Sequence, residues 1–199
     1  HLIDVNLGQG RSYSIIIESG CLNSAKEYIT KNVTSKRFVL ITHERLYQFY
    51  GESIKNQFSN YSISTLFVPE GESSKSLSHI EKLLTQILQT GVERGDCIIA
   101  LGGGVIGDLA GFAASICLRG IKLVHIPTTL LAQVDSSIGG KTGVNHPTGK
   151  NLIGTFYQPN LILMDPTVLS TLSKEEIRSG FAEIIKYGVI QDNNLFHYL

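Results

Sequence analysis

The sequence predicts an α/β fold, a mostly parallel sheet with helices on both faces, and three observations predict it. Short β-branched or apolar runs alternate with helical-period stretches, the pattern of βαβ units. The inner runs, Arg37-Phe-Val-Leu-Ile-Thr42 and Cys97 to Leu101, are apolar without alternation, as strands covered on both faces are. Finally, Ala100-Leu-Gly-Gly-Gly-Val-Ile-Gly-Asp108 runs from strand through three glycines into a helix. Such a turn gathers unpaired N–H groups and the positive end of a helix dipole where no side chain blocks approach, so it suits an anion such as a pyrophosphate.

Taken in order, Ser12-Tyr-Ser-Ile-Ile-Ile-Glu18 is a strand closed by Gly20, and Leu22 to Thr30 has helical spacing. Arg37 to Thr42 is the second strand, residues 44 to 57 a helix, and Ser62 to Val68 a third strand halted by Pro69. Ser76 to Thr90 carries leucines and isoleucines at helical intervals and ends at Gly91. Cys97 to Leu101 is the fourth strand, Val105 to Leu118 the helix after the glycines, and Lys122 to Ile126 and Leu161 to Asp165 two further strands. Ligands of such sheets bind beyond the carboxyl ends of the strands. That rule selects the loops at Thr42, at 69–75, at 102–104 and at 127–129. Asp135 to Asn151 reads as a long loop, and its two lysines, aspartate and repeated glycines favour a functional one. Beyond it, Ser173 and Glu176 have capping-box spacing at a helix start. Ile177, Phe181, Ile184 and Ile185 form an apolar stripe there, Glu176, Gly180, Glu183 and Tyr187 lie along another face, and Lys186 stands one turn from Glu183. We therefore expect an α/β domain over residues 1–172 and the beginning of a helical domain over 173–199, in a chain that has the look of a fragment.

Composition excludes several classes. The chain is 42% hydrophobic and 17% charged, enough for one packed domain with a small annex. Seventeen basic and seventeen acidic residues cancel, so no global field points to nucleic acid or an anionic membrane, and an anionic ligand has to be held locally. No run approaches a membrane span and His1-Leu-Ile-Asp lacks a signal pattern, so a cytoplasmic protein is expected. Cys21, Cys97 and Cys117 read as reduced packing thiols, and the six histidines form no i, i+4 zinc pair.

Gly102 to Gly107 fits the G-x-G-x-x-G template, yet the acidic residue due about twenty positions on is missing, where the chain reads His125-Ile-Pro-Thr-Thr129. Gly139-Gly-Lys-Thr142 is not a P-loop, because the first glycine of that motif falls on Asp135. Lys141 and Lys150 read either as point charges for a phosphate or as solvated loop lysines. Asp108 reads either as a dipole-favoured residue of the first turn or as a ligand contact. Glu183 reads either as part of a salt-bridged helix surface or as a metal ligand whose partners lie beyond Leu199.

Six ordered blocks carry a resemblance. Gly71-Glu-Ser-Ser-Lys75, Gly102 to Asp108, Pro127-Thr-Thr-Leu-Leu-Ala-Gln-Val-Asp-Ser136, Gly139-Gly-Lys-Thr-Gly143, Gly149-Lys-Asn-Leu-Ile-Gly-Thr-Phe156 and Gly180-Phe-Ala-Glu-Ile-Ile-Lys-Tyr-Gly188 together resemble the 3-dehydroquinate synthase family from about Leu7 to Leu199. The resemblance implies a Rossmann-like NAD-binding half and the entry to a helical second domain. It further implies a homodimeric shikimate-pathway enzyme using NAD and zinc (or cobalt), which converts a phosphorylated keto-acid, 3-deoxy-D-arabino-heptulosonate 7-phosphate, to 3-dehydroquinate and phosphate. In that chemistry a ketone made at C5 acidifies the neighbouring proton, phosphate leaves by elimination, and the returned hydride restores the alcohol before ring opening and aldol closure. The isolated chain is expected to be inactive.

By position, the resemblance implies NAD contacts at Glu70, Gly71, Glu72, Ser73, Ser74 and Lys75, with Glu72 and Lys75 on the adenosine side. It implies further NAD contacts at Gly103, Gly104, Val105, Ile106, Gly107 and Asp108, at Thr128, Thr129, Asp135, Ser136, Lys141 and Lys150, and at Leu169, Ser170, Thr171, Leu172 and Glu176. It places Asp135 and Lys186 at the reacting hydroxyls, Lys141 and Asn151 on the phosphate, Glu183 on the metal, and Arg119 in the partner subunit's site. Polyol and iron-dependent alcohol dehydrogenases, other sugar-phosphate cyclases and an inactive NAD-binding module are the rival expectations.

Overall fold

The computed structural model describes residues 1–8 and 10–199. These form a seven-stranded sheet of β1 (Leu2–Val5), β2 (Tyr13–Ile17), β3 (Arg37–Thr42), β4 (Ser62–Phe67), β5 (Cys97–Gly102), β6 (Lys122–Pro127) and β9 (Leu161–Met164). A hairpin, β7 (Lys141–His146) and β8 (Gly149–Phe156), stands apart from it. The spatial order is β1-β2-β9-β6-β5-β3-β4, and every neighbouring pair is parallel except β1 with β2.

Parallel strands need crossovers, and these supply the two outer layers. α1 (Ala25–Asn32) and α3 (Glu52–Gln57) cover one face, where Ile29, Ile54 and Phe58 meet Phe38, Leu40 and Leu101. α4 (Leu77–Gln89) and α5 (Gly104–Ile116) cover the other, where Ile80, Leu83, Leu109 and Ala113 meet Val39, Ile41 and Ile98. The chain goes outward from β3 to β4, then returns across β3 to β5 and on to β6. The winding thus reverses between β3 and β5, and the crevice at their carboxyl ends is the topological switch point where such sheets take ligands.

All six expected strands form, but β1 went unpredicted because Leu2-Ile-Asp-Val5 is short and largely exposed at an edge. The expected helix at 44–57 is continuous in direction but contains a π turn, Tyr47–Gly51, between α2 (Glu44–Leu46) and α3. Side-chain atoms at position 51 would lie 2.5 Å from the Tyr47 ring, so that turn requires glycine. The helix after the glycine turn ends at Ile116, because Leu118 and Arg119 adopt left-handed backbone.

The long loop expected over 135–151 is corrected by the structure. Ala132–Ser136 is a π turn, and most of the rest is the β7–β8 hairpin lying on α5. Glycines that read as loop punctuation serve close approach instead. A Cβ at Gly154 would fall 1.9 Å from the Thr142 carbonyl oxygen, and one at Gly111 of α5 would meet the Thr142 methyl at 2.5 Å.

Asp165, 2% exposed, locks the end of β9. Burial pushes its pKa up, but the Thr167 hydroxyl and the N–H groups of Gly20, Leu22 and Thr167 outweigh that and hold it below the ordinary value. The turn it fixes, Pro166–Thr171, is tied to α2's π turn by Tyr50 Oη, 3.0 Å from Thr171 Oγ1. All three cysteines are free and buried, as packing thiols are, and burial pushes the Cys21 thiol up to about 12.

Candidate dinucleotide and substrate site

The β5–α5 turn dictates the first cleft. Gly103 lacks a side chain that could cap α5, and no acidic residue occupies the first turn, so the leading N–H groups stay open among the described residues. A Cβ on Gly103 would sit 3.0 Å from the Thr129 methyl, and one on Gly104 3.0 Å from Ser136 Oγ. The glycines therefore keep open a cleft of about 290 Å³ at the switch point. Glu70, Gly71, Gly103, Gly104, Val105, Ile106, Thr128, Thr129, Thr171, Leu172 and Glu176, drawn from four separate loops, all line it, as the resemblance implied.

His43, Arg45, Leu46 and Phe49 also line this cleft, and sequence reasoning gave Arg45, Leu46 and Phe49 no role. The loop rule reached Thr42 but not the face that α2 and its π turn offer to the crevice. His43 Nδ1 lies 2.9 Å from Glu70 Oε1 and ties the ends of β3 and β4 together. Burial holds its pKa below the ordinary value against the pull of Glu70.

A second cleft, about 390 Å³, lies between α5, the π turn and the hairpin. Asp108, Asp135, Ser136, Lys141 and Asn151 line it together. The two clefts adjoin where Gly104 faces Ser136. Lys75, 5% exposed, lines neither cleft. Its Nζ lies 2.5 Å from Asp108 Oδ2 and 2.6 Å from Asn151 Oδ1, with Glu72 Oε1 at 3.8 Å. The main chain explains this: the loop at 72–75 is held to β7 by the Asn145 N–H on the Lys75 carbonyl. Burial raises the Asp108 pKa, Lys75 opposes the rise, and Glu72 and Asp135 add to it.

The remaining expected contacts lie outside both clefts. Ser74 Oγ donates to the Gly71 carbonyl at 2.7 Å and shapes the turn, and Gly107 backs onto His125. Glu72, Ser73, Lys150, Leu169 and Ser170 border the loops without lining a cleft. Arg119 is exposed at the far end of α5, about 20 Å from the glycine turn for a helix of this length.

α6 (Lys174–Ile190) begins with the expected capping box between Ser173 and Glu176. It seats at Gly180, where a Cβ would fall 2.5 Å from Leu130 Cγ and 2.8 Å from the Leu131 nitrogen. That seat brings Tyr187 over the π turn, with its hydroxyl 3.3 Å from Asp135 Oδ1 and from the Val134 carbonyl. Burial, with Glu183 and Asp135 beside it, pushes the phenol up to about 12. Tyr187 is the residue here that sequence reasoning placed on the right face without giving it a role. Glu183 pairs with Lys186, which holds its carboxyl below the usual range with help from Tyr187 and Lys141. The apolar stripe divides, Ile177 and Ile184 half-buried, Phe181 and Ile185 exposed. The final helix, α7 (Asn193–Tyr198), packs on Gly188 of α6.

The glycine turn fits a dinucleotide, because open N–H groups and absent side chains are what a pyrophosphate needs. Glu183 offers a metal one carboxylate. Among the described residues no three of His, Cys, Asp or Glu converge, so they do not by themselves make a complete metal site.

Residues 65–179 match the family model described as 3-dehydroquinate synthase N-terminal. The 3-dehydroquinate synthase of Crocosphaera subtropica is 48% identical over the whole chain, which covers 54% of that protein. The chain thus spans about half the length of the curated relatives it matches. A 2-deoxy-scyllo-inosose synthase crystallised with carbaglucose-6-phosphate, NAD+ and Co2+ superposes with a TM-score of 0.88 at 29% identity, covering 98% of this chain and 53% of its own. ValA, a 2-epi-5-epi-valiolone synthase from Streptomyces hygroscopicus subsp. jinggangensis with NAD+ and Zn2+ bound, gives 0.86 at 31% identity, covering 97% and 54%. Both share the mostly parallel sheet with its helical layers, and the chain belongs to the 3-dehydroquinate synthase family, of which it carries the N-terminal α/β part.

Proposed function

We propose that this chain is the NAD-binding half of a 3-dehydroquinate synthase, which eliminates phosphate from 3-deoxy-D-arabino-heptulosonate 7-phosphate and closes the ring to 3-dehydroquinate. One observation carries the reading: an uncapped glycine turn suited to a pyrophosphate adjoins, at Gly104 and Ser136, a cleft that holds Lys141 and Asn151. A dinucleotide on the turn and a phosphorylated substrate in the second cleft would meet there.

When bound, the nicotinamide supplies reversible hydride transfer and a divalent metal, zinc or cobalt, supplies polarisation of the reacting hydroxyl. The chain's own residues do the positioning. Val105, Ile106, Thr128 and Thr129, with Leu172 and Glu176, line the cleft that would hold the dinucleotide. Lys141 and the Asn151 amide hold the phosphate as point charge and hydrogen-bond donor. Asp135 has Oδ1 engaged by the Tyr187 hydroxyl, which leaves Oδ2 to accept from a substrate hydroxyl. Glu183 is the metal ligand on this side, and Lys186 then passes from that carboxylate to the substrate.

Residues 1–172 form the α/β domain in this reading, and 173–199 open the helical domain that completes the metal site in the longer protein. A homodimer is part of it. Arg119 points away from its own clefts, and Leu118 and Arg119 both hold left-handed backbone at φ 51° and 70°, a strain of roughly 1–2 kcal/mol each that is characteristic of functional segments. The three buried free thiols accord with a reducing cytoplasm, and among the described residues no helix is long and apolar enough to cross a membrane.

Lys141→Ala in the full-length protein tests the assignment of the second cleft. The substrate KM should rise by about 10²-fold, the scale of a lost charge-assisted contact, while the dissociation constant for NAD stays within about twofold. Equal loss of both would return Lys141 to the dinucleotide.

A further inference from the structure

Asn145 was singled out by neither motif nor resemblance, yet it joins three segments. Its N–H donates to the Lys75 carbonyl at 2.9 Å, its Nδ2 donates to Glu72 Oε1 at 2.8 Å, and its Oδ1 accepts the Asn151 N–H at 2.9 Å. Asn151 sits in left-handed backbone at φ 56°, which its short polar side chain tolerates but which still needs fixing. Lys75 Nζ donates to the Asn151 side-chain oxygen, Oδ1, at 2.6 Å. A side-chain amide has one oxygen acceptor and one NH2 donor. With the oxygen committed to a buried ammonium, the donor end is what remains for the second cleft.

We propose that Asn145 is a positioning residue that clasps the β7–β8 hairpin to the loop at 72–75, so that Asn151 presents its amide NH2, and not its oxygen, to the substrate's phosphate. This rests on the functional reading above. Without the clasp the Asn151 backbone relaxes and its side chain turns away from Lys75. An amide oxygen then faces an anionic oxygen, and binding weakens. Glu70 and Gly71, just before this loop, line the dinucleotide cleft, so the clasp lies between the two halves of the site.

The experiment uses the full-length protein and three variants: Asn145→Asp, Glu72→Gln, and Glu72→Gln added to Asn145→Asp. The aspartate keeps an acceptor for the Asn151 N–H but sets a carboxylate against Glu72. Glutamine at position 72 then restores the bond with donor and acceptor exchanged. The expected result is a substrate KM raised about tenfold or more in Asn145→Asp, with kcat reduced less and NAD affinity within about threefold. Adding Glu72→Gln should recover most of that KM, judged against Glu72→Gln alone. A KM that the second substitution does not recover, or NAD affinity falling in step with KM, overturns the proposal. Hydrogen exchange over residues 141–156, measured without substrate, gives a readout independent of turnover. Exchange that quickens in Asn145→Asp and slows again in the double variant sustains the clasp, and unchanged exchange refutes it. If the unsubstituted protein releases no phosphate from the keto-acid phosphate, the functional reading fails and the exchange data alone decide the clasp.

Discussion

Gly180→Ala separates stability from activity in a way the structure quantifies. Alanine in a helix interior gains about 1 kcal/mol over glycine. Here the added methyl would lie 2.5 Å from Leu130 Cγ, 2.6 Å from Leu130 Cβ and 2.8 Å from the Leu131 nitrogen. The Leu130 side chain is able to turn aside, but the backbone nitrogen is not, so α6 has to move outward by several tenths of an ångström. Overpacking of this kind costs about 1–3 kcal/mol, and the net loss of stability is therefore about 0–2 kcal/mol. Activity should suffer far more. Gly180 lies one turn from Glu183 and two from Tyr187, whose hydroxyl reaches Asp135 Oδ1 at only 3.3 Å. Displacing a reacting group by about 1 Å costs on the order of 10²-fold in rate, so kcat of the full-length enzyme should fall by about 10–10²-fold. NAD affinity should change less than about fivefold, because of the residues lining the dinucleotide cleft only Glu176 lies on α6. Urea unfolding, isothermal titration with NAD and steady-state phosphate release measure the three quantities. A Gly180→Ala enzyme with unaltered kcat would show that the seat of α6 does not set the Asp135 geometry, and the argument would fail.

Two further predictions concern other parts of the fold. Gly104→Val places branched carbons against Ser136 Oγ, already 3.0 Å from a Cβ, and over the open N–H groups; NAD affinity should drop by about 10²-fold or more in a titration while urea unfolding changes by roughly 1 kcal/mol or less. His125, 5% exposed, has its pKa lowered by burial to about 4, against about 6.5 when unfolded; the unfolded chain therefore binds the extra proton between those values, and stability is full above pH 6.5 and falls as pH drops toward 4, by up to roughly 3 kcal/mol. His125→Gln should flatten that acid slope in pH-dependent urea unfolding, and an unchanged slope would assign it to other groups.

The sheet was legible because strands buried on both faces leave continuous apolar runs between helical-period stretches. The glycine turn was legible for a related reason, since three glycines between such a run and a helix have few other uses. What escaped is instructive. The hairpin was hidden because Gly143 and Gly154, which let two backbones touch, look in sequence like the glycines of a loop. Phe49 escaped because it sits within a π turn after β3, and no side-chain pattern announces how such a turn rotates the helix. The ion pair of Lys75 was not legible in the sequence. Its direction is fixed by Asp108 and Asn151, which lie 33 and 76 residues away in sequence. The Ser173–Glu176 capping box, being local, was readable to the residue.

In the proposed reaction, NAD bound at the α5 turn serves a redox-neutral elimination of phosphate. Its most direct test is the ratio of phosphate released to NAD supplied, with the full-length protein, zinc, 3-deoxy-D-arabino-heptulosonate 7-phosphate and NAD well below the substrate concentration, while absorbance of NADH is followed. Many phosphates per NAD, with no build-up of NADH, are expected. Phosphate release that stops at one per NAD, or NADH accumulating without phosphate, would contradict it.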